Sequence, residues 1–511
     1  MNRSRHIVDR RRTHPMHALG RTVMVVLLLN LALLASVIAF NTLRKPSRQM
    51  RVAASPPVAL DAAAASRRLA GALALPTVSY DERPDASADA FVALHAYLQR
   101  AFPAAHAAMS RETINRYSLL YTWRGSDPSA KPILLMAHQD VVPPGNAQQW
   151  THPPFSGRIQ DGFVWGRGAW DDKGNLVAMM EAVDALARQG FVPRQTIYFA
   201  FGHDEENGGE RGAKAIAQRL QRRGVRLDFV LDEGMQMTEG VFKDIDRPVA
   251  LVGVAEKGMA TLTLRASAVP GHSSMPSADS AIGRLAHALT RLEAKPMPAA
   301  IDGVSADMFD ALAPEMSPLN RVLLSNRWLT GGLVRSQLEK SPVTNAMLRT
   351  TIAFTRLRSG DKSNVLPGQA TATISARLHP RESLEDLVEH VRKAIADPGI
   401  AIHIDRGWEA SRTSRTETRG FRLVERSLRQ VYPDAVVAPT LLIGGTDAKH
   451  MAALTDDIYR ISPVRARSED IPRYHGVDER ISITNYVELI NVYVRLLADA
   501  NVETRESRPE S

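Results

Sequence analysis

The chain contains no cysteine. That removes disulfides, thiolate metal ligands and a cysteine nucleophile from consideration. Any metal must then be held by His, Asp and Glu, a donor set that suits zinc, manganese or cobalt and not an iron–sulfur cluster. Charge is also missing where it first seems abundant. The net charge is +9, yet residues 1–50 hold nine basic residues (Arg3, Arg5, Arg10, Arg11, Arg12, Arg21, Arg44, Lys45, Arg48) against the single acid Asp9, which leaves +1 for the rest. A body so close to neutral carries no electrostatic footprint for DNA or RNA, so no nucleic-acid partner is expected. Nothing in the composition points to collagen, coiled coil or bulk disorder.

What the first fifty residues do contain is a targeting segment. Thr22 to Phe40 (TVMVVLLLNLALLASVIAF) is uncharged and mostly apolar. At ~1.5 Å per residue it just spans a ~30 Å hydrocarbon core. Six arginines precede it, and positive flanks stay in the cytoplasm. The expectation is a single anchor, tail inside and body outside the cytoplasm, periplasmic in a bacterium. The rival is a cleaved signal peptide and a secreted body. It would have a shorter apolar region and a small-x-small cleavage site, which Ala35-Ser36-Val37 matches poorly.

The chain is too long for one hydrophobic core. The pattern divides it into a basic tail (1–21), the anchor (22–40), a linker (41–57), a main domain in two parts (58–257 and 409–500), an inserted domain (258–408) and a disordered tail (501–511). The main domain alternates apolar runs with helical spacing, as an α/β sheet does: strands at 132–137, 196–201, 229–231 and 439–443, helices at 175–189, 213–222, 421–431 and 485–498. From Gly258 the texture changes to half-exposed alternation (259–268, 370–378) with helices near 280–293 and 384–394 and a strand at 400–404. That is the ferredoxin-like order. Residues 295–350, rich in Pro, Met and Leu, read as an irregular excursion of this insert. Its apolar residues (Met308, Phe309, Leu312, Met316, Leu319, Leu323, Leu324, Trp328, Leu329) are expected to line the substrate pocket or to pack inside the insert.

Polar groups follow the apolar strands. His138-Gln139-Asp140 ends PILLMA, Glu205-Glu206 follows TIYFAFGHD, Asp232 follows LDFVL, and Asp171-Asp172 sits after the turn WGRGAW. Ligands of open α/β sheets bind beyond the carboxyl ends of the strands, so these groups converge if the strands are parallel neighbours. Singly each has a plain structural reading: a helix N-cap, a strand-end His, a solvated acid pair, a turn residue. Together they match the demand of two divalent ions, a bridging carboxylate with terminal ligands on each side. A further carboxylate must take the proton of an attacking water, and adjacent Glu205 and Glu206 can divide base and ligand between them. Asp140 can accept the other imidazole N–H of His138.

The segments LLMAHQDVVP, WGRGAWDDKG, DEENGGERGA, VLDEG, GHSSMP, SNVLPG, LIGGTDAKH and YHGVDER resemble, in order, those of the aminoacylase/carboxypeptidase family of co-catalytic di-zinc metallopeptidases. Within that family they resemble the branch of yeast carboxypeptidase S and the N-fatty-acyl-amino-acid hydrolases/synthases. The resemblance implies a doubly wound mixed sheet of the di-zinc exopeptidase type with an inserted ferredoxin-like lid, two zinc ions per chain (cobalt or manganese as substitutes), and dimerisation through the lid. It implies that His138 and Asp232 bind one zinc, Glu206 and His475 the other, and that Asp171 bridges them. Glu205 would be the general base, Asp140 the partner of His138, and His272 the donor to the scissile carbonyl, across a subunit interface. Asn364 and Arg377 would hold the substrate carboxylate, with Gly445, Thr446 and Asp447 on a loop beside it. The expected activity is cleavage of the amide next to an amino acid with a free carboxylate, as a carboxypeptidase on short peptides. The alternative is an N-acyl-amino-acid amidase. A rival of another class is a membrane-anchored metal- or peptide-binding protein without catalysis.

Overall fold

The computed structural model describes residues 15–242 and 244–501. Of the two expected tails, residues 1–14 and 502–511 lie outside the described residues. Helix α1 (Pro15–Leu43) contains, over Arg21–Leu43, the one stretch among the described residues long and apolar enough to cross a membrane; its most apolar part is not buried in the protein, and at its end Thr42 is. The expected linker is a strap bound to the body. The Gln49 side chain donates to Val437 O (2.9 Å) and accepts from Val437 N (2.7 Å), and Glu425 accepts from Met50 N (2.9 Å).

Strands β1 (Ser110–Ile114), β2 (Ser118–Trp123) and β3 (Ile133–His138) lead into helix α2 (Lys173–Arg188). Strand β4 (Ile197–Gly202), helix α3 (Ala213–Arg222) and strands β5 (Val230–Glu239) and β6 (Val249–Glu256) follow. The chain then turns at Lys257 into a second sheet, β7 (Gly258–Ser267). A Cβ at Gly258 would meet the backbone of Trp408 and Ala410 at 2.6 Å, so only glycine fits this crossing. Helices α4 (Ala281–Glu293), α5 (Gly303–Leu312), α6 (Pro318–Ser325) and α7 (Arg327–Leu338) come next. The second sheet is completed by β8 (Thr351–Ser359), β9 (Gln369–Leu378), helix α8 (Leu384–Ile395) and β10 (Ile400–Trp408). Helix α9 (Arg419–Val431), β11 (Val436–Leu442), β12 (Ile458–Arg467) and helix α10 (Ile483–Asp499) return to the first sheet.

The large sheet runs β1-β2-β4-β3-β5-β12-β6-β11. Strands β3, β4, β5 and β12 are mutually parallel neighbours, with Leu135 opposite Leu231 and His138 opposite Gly202. Strand β3 (ILLMAH) is buried throughout, as a continuous apolar run covered on both faces must be. Helices α2, α9 and α10 cover one face through Val177, Met180, Leu428 and Ile490, and α3 covers the other through Ile216 and Leu220. This is a doubly wound mixed α/β sheet. The second sheet runs β8-β9-β7-β10, all antiparallel, with α4 and α8 packed on one face. Its order is ferredoxin-like, including β8, an edge strand whose nearly uniform exposure left no apolar face to read.

Residues 295–350 correct an expectation. They are largely helical, they line no part of the cleft described below, and they do not pack inside the second sheet's core. Met308, Phe309 and Leu312 of α5 instead pack on Val249, Leu251, Val436 and Ala438 at the edge of the large sheet. An edge strand with an unpaired apolar side needs such a cover.

Candidate metal centre and active site

The carboxyl ends of β3, β4 and β5 open into a cleft of about 630 Å³ between the two sheets. His138 closes β3. Its Nδ1 donates to the backbone carbonyl of Asp140 (2.9 Å) with Asp140 Oδ1 at 3.4 Å. Two acceptors fix the proton on Nδ1 and direct Nε2 into the cleft. There Nε2 stands 2.9 Å from Asp171 Oδ1 and 3.4 Å from Glu233 Oε1. His475 Nε2 stands 2.6 Å from Asp171 Oδ2 and 3.4 Å from Glu206 Oε2. Asp171 therefore gives one oxygen to each of two groups, His138–Asp171–Glu233 and Asp171–Glu206–His475, and within each group the ligand atoms lie within 4.8 Å of one another.

This donor set fits a pair of divalent cations. Burial pushes Glu206 and Glu233 up, with Asp171 adding to both; Glu233 reaches about 7. Burial alone would lower His138, but Asp140, Asp171 and Glu233 outweigh it and hold the ring well above its usual range. Hydrogen bonds that His475 donates to Asp171 and Glu206 raise its pKa to about 10. Burial alone would raise Asp171, but His138 and His475 outweigh it and hold it low. Glu206 Oε1 is buried with no hydrogen-bond partner. So many buried acids facing two imidazoles form a field that favours positive charge.

Asp140 is fully buried and organises the adjoining loop. It accepts from Glu205 N (3.1 Å), Glu206 N (3.2 Å) and Ser79 Oγ (2.7 Å). Glu205 lines the cleft but belongs to neither group. Burial, with Glu233, Asp447 and Glu206 nearby, raises its pKa well above the usual carboxylate range although His138 opposes the shift. A carboxyl so raised is suited to take a proton and return it.

Asp232, expected as a ligand, falls in neither group. Adjacent strand residues face opposite sides. Asp232 points toward the Thr446–Ala448 turn, where it accepts from Ala448 N (2.8 Å), and Glu233 takes the place beside His138. Gly445, Thr446 and Arg377 line the cleft. Asp447 does not. Its carboxylate is buried behind the loop, against Gly202 and Gly209. His272 and Asn364 are also not brought to the cleft within one chain. His272 sits on, and Asn364 just before, an exposed two-residue ribbon beside the second sheet, where Asn364 O accepts from Ser273 N (3.1 Å) and His272 Nδ1 lies 2.8 Å from Ser274 Oγ.

Sequence reading missed several residues that the structure places here. Glu479 is fully buried and accepts from Trp170 N (2.7 Å), Asp171 N (3.1 Å), Gly168 N (3.0 Å) and Arg167 Nη1 (2.7 Å). It fixes the loop that carries Asp171. Arg406 and Lys449, both stacked on Trp408 (5.3 and 5.5 Å to the ring centre), add cations to the cleft wall.

Comparison with known proteins gives the same reading. The chain is 40% identical over 472 residues to a probable carboxypeptidase S-like 2 of Dictyostelium discoideum, covering 90% of this chain and 91% of the relative. It is 36% identical over 496 residues to the N-fatty-acyl-amino acid synthase/hydrolase PM20D1 of Xenopus tropicalis, covering 95% and 96%. Among solved structures, the M20 family metallo-carboxypeptidase Sso-CP2 of Sulfolobus solfataricus superposes with a TM-score of 0.62 at 17% identity, over 85% of this chain and 98% of that one. The model of peptidase family M20/M25/M40 matches residues 134–499, a span that includes every residue of both metal groups, and the chain belongs to that family of metal-dependent hydrolases.

Proposed function

We propose that the chain cleaves the amide bond beside an amino acid with a free carboxylate, using two zinc ions held by His138, Asp171 and Glu233 and by Asp171, Glu206 and His475. The observation that carries this is the divided carboxylate of Asp171, one oxygen at 2.9 Å from His138 and the other at 2.6 Å from His475. When bound, the ions supply Lewis acidity to the scissile carbonyl and acidify an attacking water. Glu205 takes the proton of that water and returns it to the leaving amine. Asp140 holds His138 in its ligand tautomer and, through two backbone N–H groups, sets the position of Glu205 and Glu206. Arg377, on the opposite wall, pairs with the substrate carboxylate. A second copy of the chain, docked through the inserted domain, supplies His272 and Asn364, which one chain leaves outside the cleft.

Short peptides are the first substrate class. N-acyl-amino acids are the second, favoured by the relative at 36% identity over 95% of the chain and by the apolar wall of Met235, Met259, Leu442 and Ile443. Helix α1 anchors the chain, and the arginines before it keep the tail in the cytoplasm and the body outside.

The test is zinc content together with turnover of a dipeptide panel and of N-oleoyl-amino acids. Glu205→Gln should keep its metal and lose about 10²–10⁴-fold in turnover, the size of a general-base contribution. Full metal with most of the activity retained in that variant would end this assignment.

A further inference from the structure

The helical excursion carries an apolar face that none of the described residues covers. On α6 and α7, Leu319, Trp328, Leu329 and Leu333 are 69%, 61%, 50% and 56% exposed. Residues 329 and 333 share one side of α7 by helical spacing, and Trp328 lies in its first turn. What lies beside this face is the end of the membrane helix. Asn326, between α6 and α7, is fully buried. It donates to Thr42 Oγ1 (3.1 Å) and Ile38 O (3.4 Å) and accepts from Asn41 Nδ2 (3.2 Å) and Trp328 Nε1 (3.4 Å). Arg321 donates to Lys45 O (3.1 Å), and Lys45 pairs with Asp310 at 2.6 Å.

These contacts fix a depth. About 20 residues of helix cross a hydrocarbon core, so a span that begins at Arg21 reaches the far boundary near residues 38–42. Asn326 grips those very residues, and Trp328 is two positions away. We propose that the α6–α7 hairpin is a lipid-docking surface whose exposed face seats in the membrane leaflet facing the body, beside the base of α1. This rests on the reading of α1 as a retained anchor. Trp is at home at the headgroup level. Arg44, Arg48 and Arg51 on the adjoining strap are exposed and lie where cations meet anionic lipid. The surface also backs onto the cleft: Val334 and Leu338 of α7 share one apolar cluster with Met235 and Ile443, which line the cleft wall. The body is thereby held at two points, and the active site is kept at a set orientation to the leaflet.

The absence of cysteine makes the test clean. Full-length single-cysteine variants Leu329→Cys, Leu31→Cys and Val92→Cys, all at exposed positions, are spin-labelled in vesicles of phosphatidylethanolamine and phosphatidylglycerol. Collision with lipid-soluble oxygen is compared with collision with an aqueous nickel chelate. The label at 329 should favour oxygen, as the one at 31 within α1 does, with the ratio reversed at 92 on the body. An aqueous reading at 329 with an oxygen-favouring reading at 31 overturns the docking surface alone. An aqueous reading at 31 overturns the anchor and the docking together. A disulfide-linked dimer of the unlabelled Leu329→Cys variant on oxidation, with no lipid exposure of the label in the labelled one, assigns the face to a second copy and overturns the proposal.

Discussion

Asp232 and Glu233 are neighbours on β5 with carboxylates on opposite sides of the strand: Glu233 lies 3.4 Å from His138 Nε2, and Asp232 accepts the Ala448 N–H at 2.8 Å. The two substitutions should therefore separate. Glu233→Ala should bind about one metal equivalent fewer and lose nearly all turnover. Asp232→Asn should keep its metal and raise KM, because it loosens the turn that presents Gly445 and Thr446. Metal content by mass spectrometry beside steady-state kinetics decides. A metal loss in Asp232→Asn and none in Glu233→Ala would reverse the assignment.

Glu479 reaches the cleft through backbone, holding the N–H groups of Trp170 and Asp171. Glu479→Gln turns one acceptor oxygen into a donor facing the Gly168 N–H and Arg167. Metal affinity should fall about 10–100-fold, as for other groups that orient a ligand. Stability should also fall, because the buried Arg167 loses its counter-charge. Adding Arg167→Met should restore much of the melting temperature and little of the affinity. If affinity returned in step with stability, Glu479 would be a packing residue only.

The same two residues mark how far the sequence can be read. His138 and the Glu205–Glu206 pair were legible because a polar group after a buried apolar strand has one place to go, the crevice at the sheet's carboxyl edge. The choice between Asp232 and Glu233 was not, since the strand period of two puts one of them in the cleft without saying which. His475 follows a short turn, Ile471–Arg473, with no periodicity, and only family resemblance points to it. Helix α7 carries paired glycines within RWLTGGLVRSQL, which weaken the helical signal and made an ordered element look irregular. Its partners, the sheet edge and the end of α1, are far away in sequence. Glu479 works through backbone N–H groups, which leave no trace in side-chain pattern.

Arg377 faces the cleft from the inserted domain, and Arg377→Met should act on recognition of the substrate carboxylate. A lost charge-assisted hydrogen bond is worth about 1.5–3 kcal/mol, or roughly 10–150-fold in kcat/KM. The loss should appear with free-acid substrates and nearly vanish with the same substrates amidated at the carboxyl end, while metal content stays constant. An equal loss on both series would show that Arg377 serves the fold and not the carboxylate.

Lys257 stands at the crossing between the sheets, fully buried, and donates to Ala346 O (3.0 Å), Arg349 O (2.8 Å) and Thr351 Oγ1 (3.4 Å). Burial, which Glu382 only partly offsets, lowers its pKa to about 7. The unfolded chain keeps the ordinary lysine value near ~10.4. Below pH 7 the amine is protonated in both states and contributes no slope. Between about 7 and 10.4 the unfolded chain binds the extra proton, so stability rises with pH in that window. Lys257→Met removes the titration. The stability of the wild type relative to the variant should be flat below neutral pH and grow from pH 7 to 10, by at most about 1.4 kcal/mol per unit. Lys173, also lowered to about 7 by burial, titrates in both proteins and cancels in the difference. Denaturant unfolding at a series of pH values measures it, and parallel curves for the two proteins would refute the claim that this buried amine loses its proton near neutrality.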